Sequence, residues 1–288
     1  MFFDEKMMYE VRLNILDQFV DKFVVVESLY THKGNKKKQN FNIEDYKKFK
    51  DKIIYILINE EPKDLYDLNP NLPDVVGKKR MNSLKRIELQ YNSLSKGIVE
   101  ADPDDLIILS DCDEIPNLEN IKLNKIRNEI LLFKQKAFYY KFNLLHENID
   151  WFGSKACKKK NFITPQWLRD MKHRKYPFWR FDIFFSKKKY NNIFWIENGG
   201  WHFTNVKSPE DIEKKLLNYT HHHEFQDSGI KLDDLKKKIN AKKAIYDHNV
   251  DSRSYKWASD TTLKKTNLSE MPDYLRENYK KYSDWLEI

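Results

Sequence analysis

The chain has 288 residues, of which 40% are hydrophobic and 14% aromatic, and this composition excludes an intrinsically disordered protein. Its formal net charge of +8 fits an anionic partner, but no nucleic-acid recognition module accompanies the charge, so no nucleic-acid partner is expected. The two cysteines, Cys112 and Cys157, are too few for a disulfide framework. The sequence has neither the apolar length of a transmembrane helix nor the pattern of a signal peptide, which predicts a cytoplasmic protein and leaves peripheral membrane contact open.

The first third of the chain alternates helical and strand patterns. Apolar residues recur at helical spacing over residues 7–19, and the β-branched run at 23–26 predicts a buried strand. A second buried strand is predicted at 53–58, followed by a proline-rich loop at 62–73 and a helical stripe at 84–98. With the strand that follows, the order helix, strand, strand, helix, strand predicts an α/β fold whose central sheet is mostly parallel and flanked by helices.

That next strand, Leu106–Leu109, ends in the acidic segment Ser110-Asp111-Cys112-Asp113-Glu114-Ile115-Pro116. Carboxylates at the C-terminal end of a strand lie in the crevice where open α/β sheets bind ligands, so Asp111 and Asp113 form a candidate clamp for a hard divalent cation. Such an ion keeps waters and takes further ligands from substrate phosphates. The alternative is that one aspartate caps a helix starting near Pro116, with the acidic turn in solvent. The spacing alone leaves both interpretations open.

Three charged residues in the first half of the chain are candidate ligand contacts. Glu27 follows the predicted strand at 23–26, where its carboxylate either contacts a ligand at the sheet edge or faces water. Arg12 lies beside the apolar stripe of the first helix, and Arg86 lies on the helical stripe at 84–98. Arg86 is able to pair with a phosphate, although a surface salt bridge is the commoner use of an arginine.

The second half of the chain is rich in aromatic residues. It begins with a pattern that predicts a short polar helix and then paired strands at 130–133 and 137–145. Trp151-Phe152-Gly153 and Phe178-Trp179-Arg180-Phe181 are interpreted as core, with a sugar-stacking platform as the alternative. A final helix is predicted from Met271 to Trp285.

The segment Ile196-Glu197-Asn198-Gly199-Gly200-Trp201-His202-Phe203 contains two of the seven glycines in the chain. Adjacent glycines allow the backbone to approach a ligand closely, so Gly199 and Gly200 are candidate binding residues. His202 follows two residues later and is either a ligand to a metal or a phosphate, or a core histidine whose hydrogen bonds are satisfied. The sequence does not separate these two roles.

A helix is predicted to start at Ser208-Pro209-Glu210-Asp211, because a serine cap, a proline in the first turn and acids at the positive end of the helix dipole favour a helix start. Its C-terminal end carries His221-His222-His223-Glu224. Consecutive histidines do not converge on one ion, so this run does not predict a zinc site. Glu224 is a candidate general base.

These segments together resemble glycosyltransferase family 17, the group that includes the enzymes adding the bisecting N-acetylglucosamine to N-glycans. The resemblance rests on Arg12-Leu13-Asn14 with Phe23–Ser28, on Ile107–Pro116 with its Asp-x-Asp-Glu-Ile-Pro sequence, on Gly199–Phe203, and on Pro272–Leu275 with Asn278-Tyr279. Asp-x-Asp-Glu-Ile-Pro followed downstream by Gly-Gly-Trp-His is much more specific than Asp-x-Asp alone. The matching pieces span most of the chain.

The resemblance implies a GT-A-type nucleotide-diphospho-sugar transferase fold in a single domain over residues 1–288, with a nucleotide-sugar-binding half at 1–116 and an acceptor-side half at 117–288. It implies a divalent metal, Mn²⁺ or otherwise Mg²⁺, bound at Asp111 and Asp113, and inversion at the anomeric carbon. The expected reaction moves N-acetylglucosamine from UDP-GlcNAc onto a glycan or glycoconjugate acceptor.

On this interpretation the metal neutralises the departing diphosphate, and a base takes the acceptor proton on the face opposite the leaving group. The residues expected at the donor are Asp111, Arg12, Arg86, Glu27, Gly199 and Gly200, those expected at the metal are Asp111, Asp113 and His202, and those expected to be catalytic are Glu224 and His202. Two other classes of function stay open. One is a basic nucleic-acid-binding protein, and the other is a non-catalytic carbohydrate-binding module that uses the aromatic clusters.

Overall fold

The structure of the protein is a computed structural model, and the residues that it describes are 1–119, 121, 130–173, 179–181, 186, 189, 192–219, 222–247, 257 and 261–287. The described α-helices are α1 (Lys6–Leu16), α2 (Val75–Ser93), α3 (Pro165–Arg169), α4 (Pro209–Asn218), α5 (His222–Asp227), α6 (Leu232–Asn240) and α7 (Asp273–Glu277). The described strands are β1 (Phe23–Ser28), β2 (Ile53–Ile58), β3 (Leu106–Leu109), β4 (Glu114–Pro116), β5 (Ile130–Phe133), β6 (Gln135–Tyr139), β7 (Leu144–Trp151), β8 (Lys155–Lys158), β9 (Ile193–Ile196), β10 (Gly200–Thr204) and β11 (Lys264–Lys265). The predicted polar helix falls largely on residues 122–129, which, like Phe178 and His221, lie outside the described residues.

The order of elements predicted for the first third of the chain is confirmed. α1 buries Val11, Leu13 and Leu16 in the same apolar cluster as β1, and β1 pairs in parallel with β2. The proline-rich loop lies between β2 and α2, as predicted. α2 starts well before the predicted stripe, because the Asp74 side chain caps it by accepting a hydrogen bond from the Gly77 amide at 3.1 Å.

The other described strands form two sheets, and four short crossings within the described residues join them. The four-stranded sheet has the order β3-β8-β5-β9, and the five-stranded sheet has the order β11-β7-β6-β10-β4. Each of the pairs β3–β4, β5–β6, β7–β8 and β9–β10 has one strand in each sheet, so residues 110–113, 134, 152–154 and 197–199 cross from one sheet to the other. The acidic segment, the Trp-Phe-Gly segment and the Gly-Gly segment of the sequence all fall on or beside these crossings.

Both larger sheets are mixed rather than mostly parallel. β5 pairs in parallel with β9, and β6 with β10, whereas β3, β4, β7 and β8 form antiparallel pairs. Over the described residues the fold is therefore mixed α/β with several sheets and no barrel, and the GT-A type and the mostly parallel central sheet are not confirmed.

Two smaller predictions about the second half of the chain need correction. The strands at 130–133 and 137–145 do not pair with each other, because Lys134 alone separates β5 from β6 and carries the chain into the other sheet. Of the helix predicted from Met271 to Trp285, only α7 is α-helical, and a short 3₁₀ turn follows at Ser283–Trp285. No described helix is both long enough and apolar enough to cross a membrane.

Gly200 sets the distance between β10 and β4. It has a φ of +123°, and it is the register partner of Pro116 in the antiparallel pair. A Cβ at this position would overlap the carbonyl oxygen of Ile115 and lie 2.7 Å from the backbone nitrogen of Asn117. Only glycine therefore allows the two strands to pack at this separation.

The variant Gly200→Ala is expected to lower the free energy of unfolding by about 2–4 kcal/mol, since it combines an unfavourable φ with a backbone overlap that cannot relax cheaply. Gly229→Ala is the matched control, because Gly229 also has a positive φ, of +71°, but nothing lies within 4 Å of its added Cβ. The control should lose only about 1 kcal/mol. Urea denaturation of both variants measures the difference, and equal losses would contradict the packing role of Gly200.

Candidate active site

The acidic segment lies where the chain leaves the four-stranded sheet. Asp111 and Asp113 follow β3, and Glu114 begins β4, where His202 of β10 is its register partner. The carbonyl of Asp113 accepts a hydrogen bond from the Phe203 amide at 2.8 Å. Since the segment continues into a strand and not into a helix, the interpretation of the aspartates as helix caps is wrong.

Arg12 of α1 fixes the backbone of the acidic segment. Its Nη1 donates hydrogen bonds to the carbonyl oxygens of Glu114 at 2.6 Å and Asp111 at 3.2 Å, and its Nη2 donates to Ser110 Oγ at 2.7 Å. An arginine presents several donors in a fixed geometry, so one side chain is able to hold three acceptors of one loop. The described contacts of Arg12 therefore hold the backbone of the acidic segment in position.

Glu114 is buried and links the acidic segment to Trp151. Its Oε2 accepts a hydrogen bond from the Asp111 amide at 2.9 Å, and its Oε1 accepts one from the Trp151 indole at 2.8 Å. Gly153 lies directly against this carboxylate, since a Cβ there would overlap it. Burial, together with the charges of Asp111 and Asp113, raises the pKa of Glu114 well above its usual range.

The Asp111 side chain has two partners from other elements. Its Oδ1 accepts a hydrogen bond from the Tyr91 hydroxyl of α2 at 2.5 Å, and its Oδ2 lies 3.8 Å from an Arg169 guanidinium nitrogen of α3. Burial acts to raise the pKa of Asp111, but nearby positive charge, above all that of Arg169, outweighs burial and lowers the pKa. Asp111 is therefore a carboxylate at neutral pH.

The Asp113 side chain lies between an imidazole and an ammonium group. Its Oδ2 is 3.9 Å from His202 Nε2 and 3.7 Å from Lys215 Nζ of α4. The His202 ring stacks on Trp151 with a centroid separation of 4.2 Å, and its Nδ1 has no hydrogen-bond partner among the described residues. Burial lowers the pKa of His202 to about 4, so the imidazole is neutral at pH 7.

Two cavities meet at Asp111 and Arg169, which line both of them. The larger, of about 230 Å³, is also bordered by residues 1–3, by the segment from Ser28 to His32 that follows β1, and by Gln90, Asp113, Lys215 and Tyr219. The smaller, of about 190 Å³, is bordered by the polar groups of Tyr91, Ser110, Glu114 and Lys155 and by the rings of Trp151 and Phe152. We refer to them as the nucleotide-side cavity and the sugar-side cavity, after the use that we propose for each of them.

The group around Asp113 suits a divalent ion in its chemistry. Two carboxylates and a neutral imidazole form a donor set that Mn²⁺ and related ions accept, and Nε2 is the imidazole nitrogen that faces Asp113. Over the described residues, no three His, Cys, Asp or Glu side chains are already grouped tightly enough to hold an ion. Asp111, Asp113 and His202 would therefore hold a metal only with ligands supplied by phosphate and water, which is the usual arrangement for a hard cation at one or two carboxylates.

Glu27 was expected at the donor, but the protein itself surrounds its carboxylate. The Glu27 oxygens accept hydrogen bonds from the amides of Asn40 at 2.8 Å and Phe41 at 2.9 Å and from the Tyr55 hydroxyl at 2.9 Å, and Lys37 forms an ion pair with them. The side chain is 0% exposed. Its described contacts hold the chain after β1 in place, and that chain borders the nucleotide-side cavity.

Arg86 lies near the nucleotide-side cavity without lining it. Its guanidinium forms a 2.6 Å ion pair with Glu61 and donates a hydrogen bond to the His32 carbonyl at 3.3 Å. These contacts tie the loop after β1 to α2.

The other predicted residues also lie outside the two cavities. Gly199 and Gly200 pack against the backbone of neighbouring strands. Glu224 lies in α5, close to Tyr219 of the nucleotide-side cavity. Burial and, to a smaller extent, neighbouring Tyr246 and Glu224 raise the pKa of Tyr219.

Sequence reasoning missed three residues that face the aspartates, namely Tyr91, Arg169 and Lys215. Tyr91 was assigned to the apolar stripe of its helix, and its hydroxyl instead reaches Asp111. Nothing local distinguishes Arg169 and Lys215 from the other members of a set of 52 lysines and arginines. The one available signal was helical spacing, because Lys215 precedes Tyr219 in the sequence by one helical turn.

The comparison with protein families gave one finding that covers the whole site. The model of glycosyltransferase family 17 matches residues 1–286, and this range contains every residue of both cavities. Comparison with curated proteins and with solved structures gave no match. The chain therefore belongs to glycosyltransferase family 17, and it is a glycosyltransferase.

Proposed function

We propose that the protein is a metal-dependent, inverting transferase that moves N-acetylglucosamine from UDP-GlcNAc onto a glycan acceptor. The observation that carries this proposal is the meeting of two cavities at Asp111, with Asp113 and two cationic side chains beside it. A nucleotide sugar has the same three parts in the same order, namely a nucleoside, a charged diphosphate and a polar sugar. The family membership supports the class of reaction.

The nucleoside diphosphate is proposed to occupy the nucleotide-side cavity. The chain after β1 borders this cavity, at the carboxyl end of two parallel strands, where α/β proteins commonly bind nucleotides. Gln90 and Thr31 line the cavity with polar side chains that suit a base and a ribose. Both aspartates line this cavity, and Asp111 lies where it meets the sugar-side cavity, so the diphosphate would lie beside them.

The transferred sugar is proposed to occupy the sugar-side cavity. Its wall offers hydroxyl, carboxylate and ammonium groups from Tyr91, Ser110, Glu114 and Lys155, which suit sugar hydroxyls. The Trp151 ring adds an apolar face of the kind that packs on the C–H groups of a pyranose. The anomeric carbon would then lie near Asp111, between the two cavities.

In the transfer, the acceptor hydroxyl oxygen forms a bond to the anomeric carbon while the bond from that carbon to the diphosphate oxygen breaks. The electron pair stays on the diphosphate, and the acceptor proton passes to a base on the opposite face. A divalent ion held by Asp111, Asp113 and His202 supplies charge neutralisation for the diphosphate when it is bound. Glu224 stays the proposed base, and because it is not among the residues that line either cavity, that assignment is the first to test.

Thermal shift measurements with UDP-, GDP- and CMP-sugars, each with and without Mn²⁺, test the proposal. A ligand that binds only the folded state stabilises it, by about 2.7 kcal/mol at a hundred times its Kd. UDP-GlcNAc with Mn²⁺ should therefore raise the midpoint of unfolding most, because it is the proposed donor with its proposed metal. A protein stabilised by glycans but by no nucleotide sugar would be a carbohydrate-binding module instead. Stabilisation by nucleotide sugars that does not depend on Mn²⁺ would remove the metal from the proposal.

A further inference from the structure

Most basic side chains near the nucleotide-side cavity form hydrogen bonds or ion pairs with other groups of the protein. Arg12 donates to two carbonyl oxygens and a serine hydroxyl of the acidic segment. Arg86 pairs with Glu61, and Lys37 pairs with Glu27. These cations maintain the walls of the site.

Arg169 and Lys215 are placed differently. Both line the nucleotide-side cavity, as Lys37 also does, but neither forms a close ion pair there: Arg169 lies 3.8 Å from Asp111 and Lys215 lies 3.7 Å from Asp113. These separations are longer than a charge-assisted hydrogen bond of about 2.7–2.9 Å. The two cations are therefore held near the acids by attraction without being locked to them.

Both side chains are partly covered. The Arg169 side chain is 43% exposed, and its guanidinium lies 4.6 Å from the ring centroid of Tyr91, so the ring supports it from one side. Lys215 is 26% exposed, and it projects from α4 beside Tyr219 and Asn218, which line the same cavity. A cation that already lies beside the binding position loses less conformational entropy when it binds an anion.

The charges of the four groups cancel, with two carboxylates facing two cations. A diphosphate that enters with a divalent ion adds two negative and two positive charges. The net charge of the cluster therefore stays at zero if the carboxylates and the cations exchange their present partners for the two ligands. The carboxylates would then face the ion, and the cations would face phosphate oxygens. Unpaired charges are costly in a partly buried site, which favours this exchange over binding either ligand alone.

We propose that Arg169 and Lys215 bind the diphosphate of the donor and stabilise it as the leaving group. This inference rests on the proposed function and assigns two residues that the sequence did not single out. When the bond between the anomeric carbon and the phosphate oxygen breaks, the electron pair stays on that oxygen and adds one negative charge to the diphosphate. Arginine and lysine hydrogen bonds to this oxygen strengthen as the charge grows.

Binding of UDP and of uridine to the folded protein tests the inference, with Kd values from calorimetry for UDP and from NMR titration for uridine, all in Mn²⁺. Arg169→Gln and Lys215→Met should each weaken UDP binding about tenfold, the effect of losing one charge-assisted hydrogen bond, and leave uridine binding unchanged. Lys214→Met is the matched control for Lys215, since Lys214 is the preceding residue of α4 and lies near Asp4. Arg276→Gln is the control for Arg169, since Arg276 pairs with Asp273 in α7.

The outcomes separate this inference from the function on which it rests. If the unmodified protein binds neither UDP nor UDP-GlcNAc, the proposed function fails before any variant is needed. If it binds UDP and both variants retain the full preference for UDP over uridine, the two cations do not contact the diphosphate. An equal loss of UDP and uridine binding would assign Arg169 and Lys215 a structural role, and it would overturn the inference as well.

Discussion

Replacing Asp113 with asparagine is expected to reduce sugar transfer by about a thousandfold, equivalent to about 4 kcal/mol of transition-state stabilisation. The amide removes one of two negative charges available to an ion, and it leaves Lys215 without its nearby carboxylate. Turnover is measured as release of UDP from UDP-GlcNAc over a range of Mn²⁺ concentrations. Asp104→Asn is the control, because Asp104 is an acid of the exposed loop before β3 that pairs with Lys158 and Lys160.

Glu224→Gln provides the contrast that separates donor binding from proton transfer. If Glu224 is the base, this variant retains Mn²⁺-dependent binding of UDP-GlcNAc and loses turnover, whereas Asp113→Asn loses both. Near-normal turnover of the Gln variant would remove Glu224 as the base. Mn²⁺-dependent binding that survives in Asp113→Asn would equally remove the aspartate from the metal.

Replacing Glu27 with glutamine is expected to lower the free energy of unfolding by about 3–5 kcal/mol. The carboxylate is fully buried among two backbone amides, a tyrosine hydroxyl and the Lys37 ammonium group, and an amide of the same shape leaves that ammonium without a counter-charge. Urea denaturation measures the loss, and UDP binding to the folded variant should change little. Glu44→Gln, at an acid that is 52% exposed beside Lys47 and Lys50, should cost under about 0.5 kcal/mol.

The opposite result at Glu27 would be equally informative. A variant as stable as the unmodified protein but unable to bind UDP would return Glu27 to the donor contacts that its position after the predicted strand first indicated. The distinction matters because strand-end carboxylates are expected to contact ligands in α/β proteins. Here the strand end is covered by residues 37–41, which no local pattern in the sequence predicts.

Local patterns predicted the elements that depend on local interactions. The strand at Phe23–Ser28, the serine-capped start of α4 and the end of β3 at the acidic segment are where the sequence indicated them. Each is specified by neighbours in the chain, through β-branched runs, cap hydrogen bonds or an abrupt change from apolar to charged residues. The aspartates were found for the same reason.

The sequence did not predict what depends on contacts between distant segments. β8 pairs antiparallel with β3 and β5, and this pairing makes the sheet mixed. It depends on which strand edges come together when the chain folds. The partners of the aspartates, Tyr91, Arg169 and Lys215, come from three helices that are far apart in the chain. Helical spacing predicts which side of a helix is apolar, but it does not identify the polar group that a given side chain will meet.

The four crossings between the sheets bear on how the site forms during folding. Three of them, at 110–113, 152–154 and 197–199, lie on or beside the residues of the site, and each joins strands of both sheets. The arrangement of the candidate site therefore cannot exist in a chain that has formed only one sheet. We infer that activity returns late in refolding and in one step with the native sheets, and that long-range strand pairing makes this step slow.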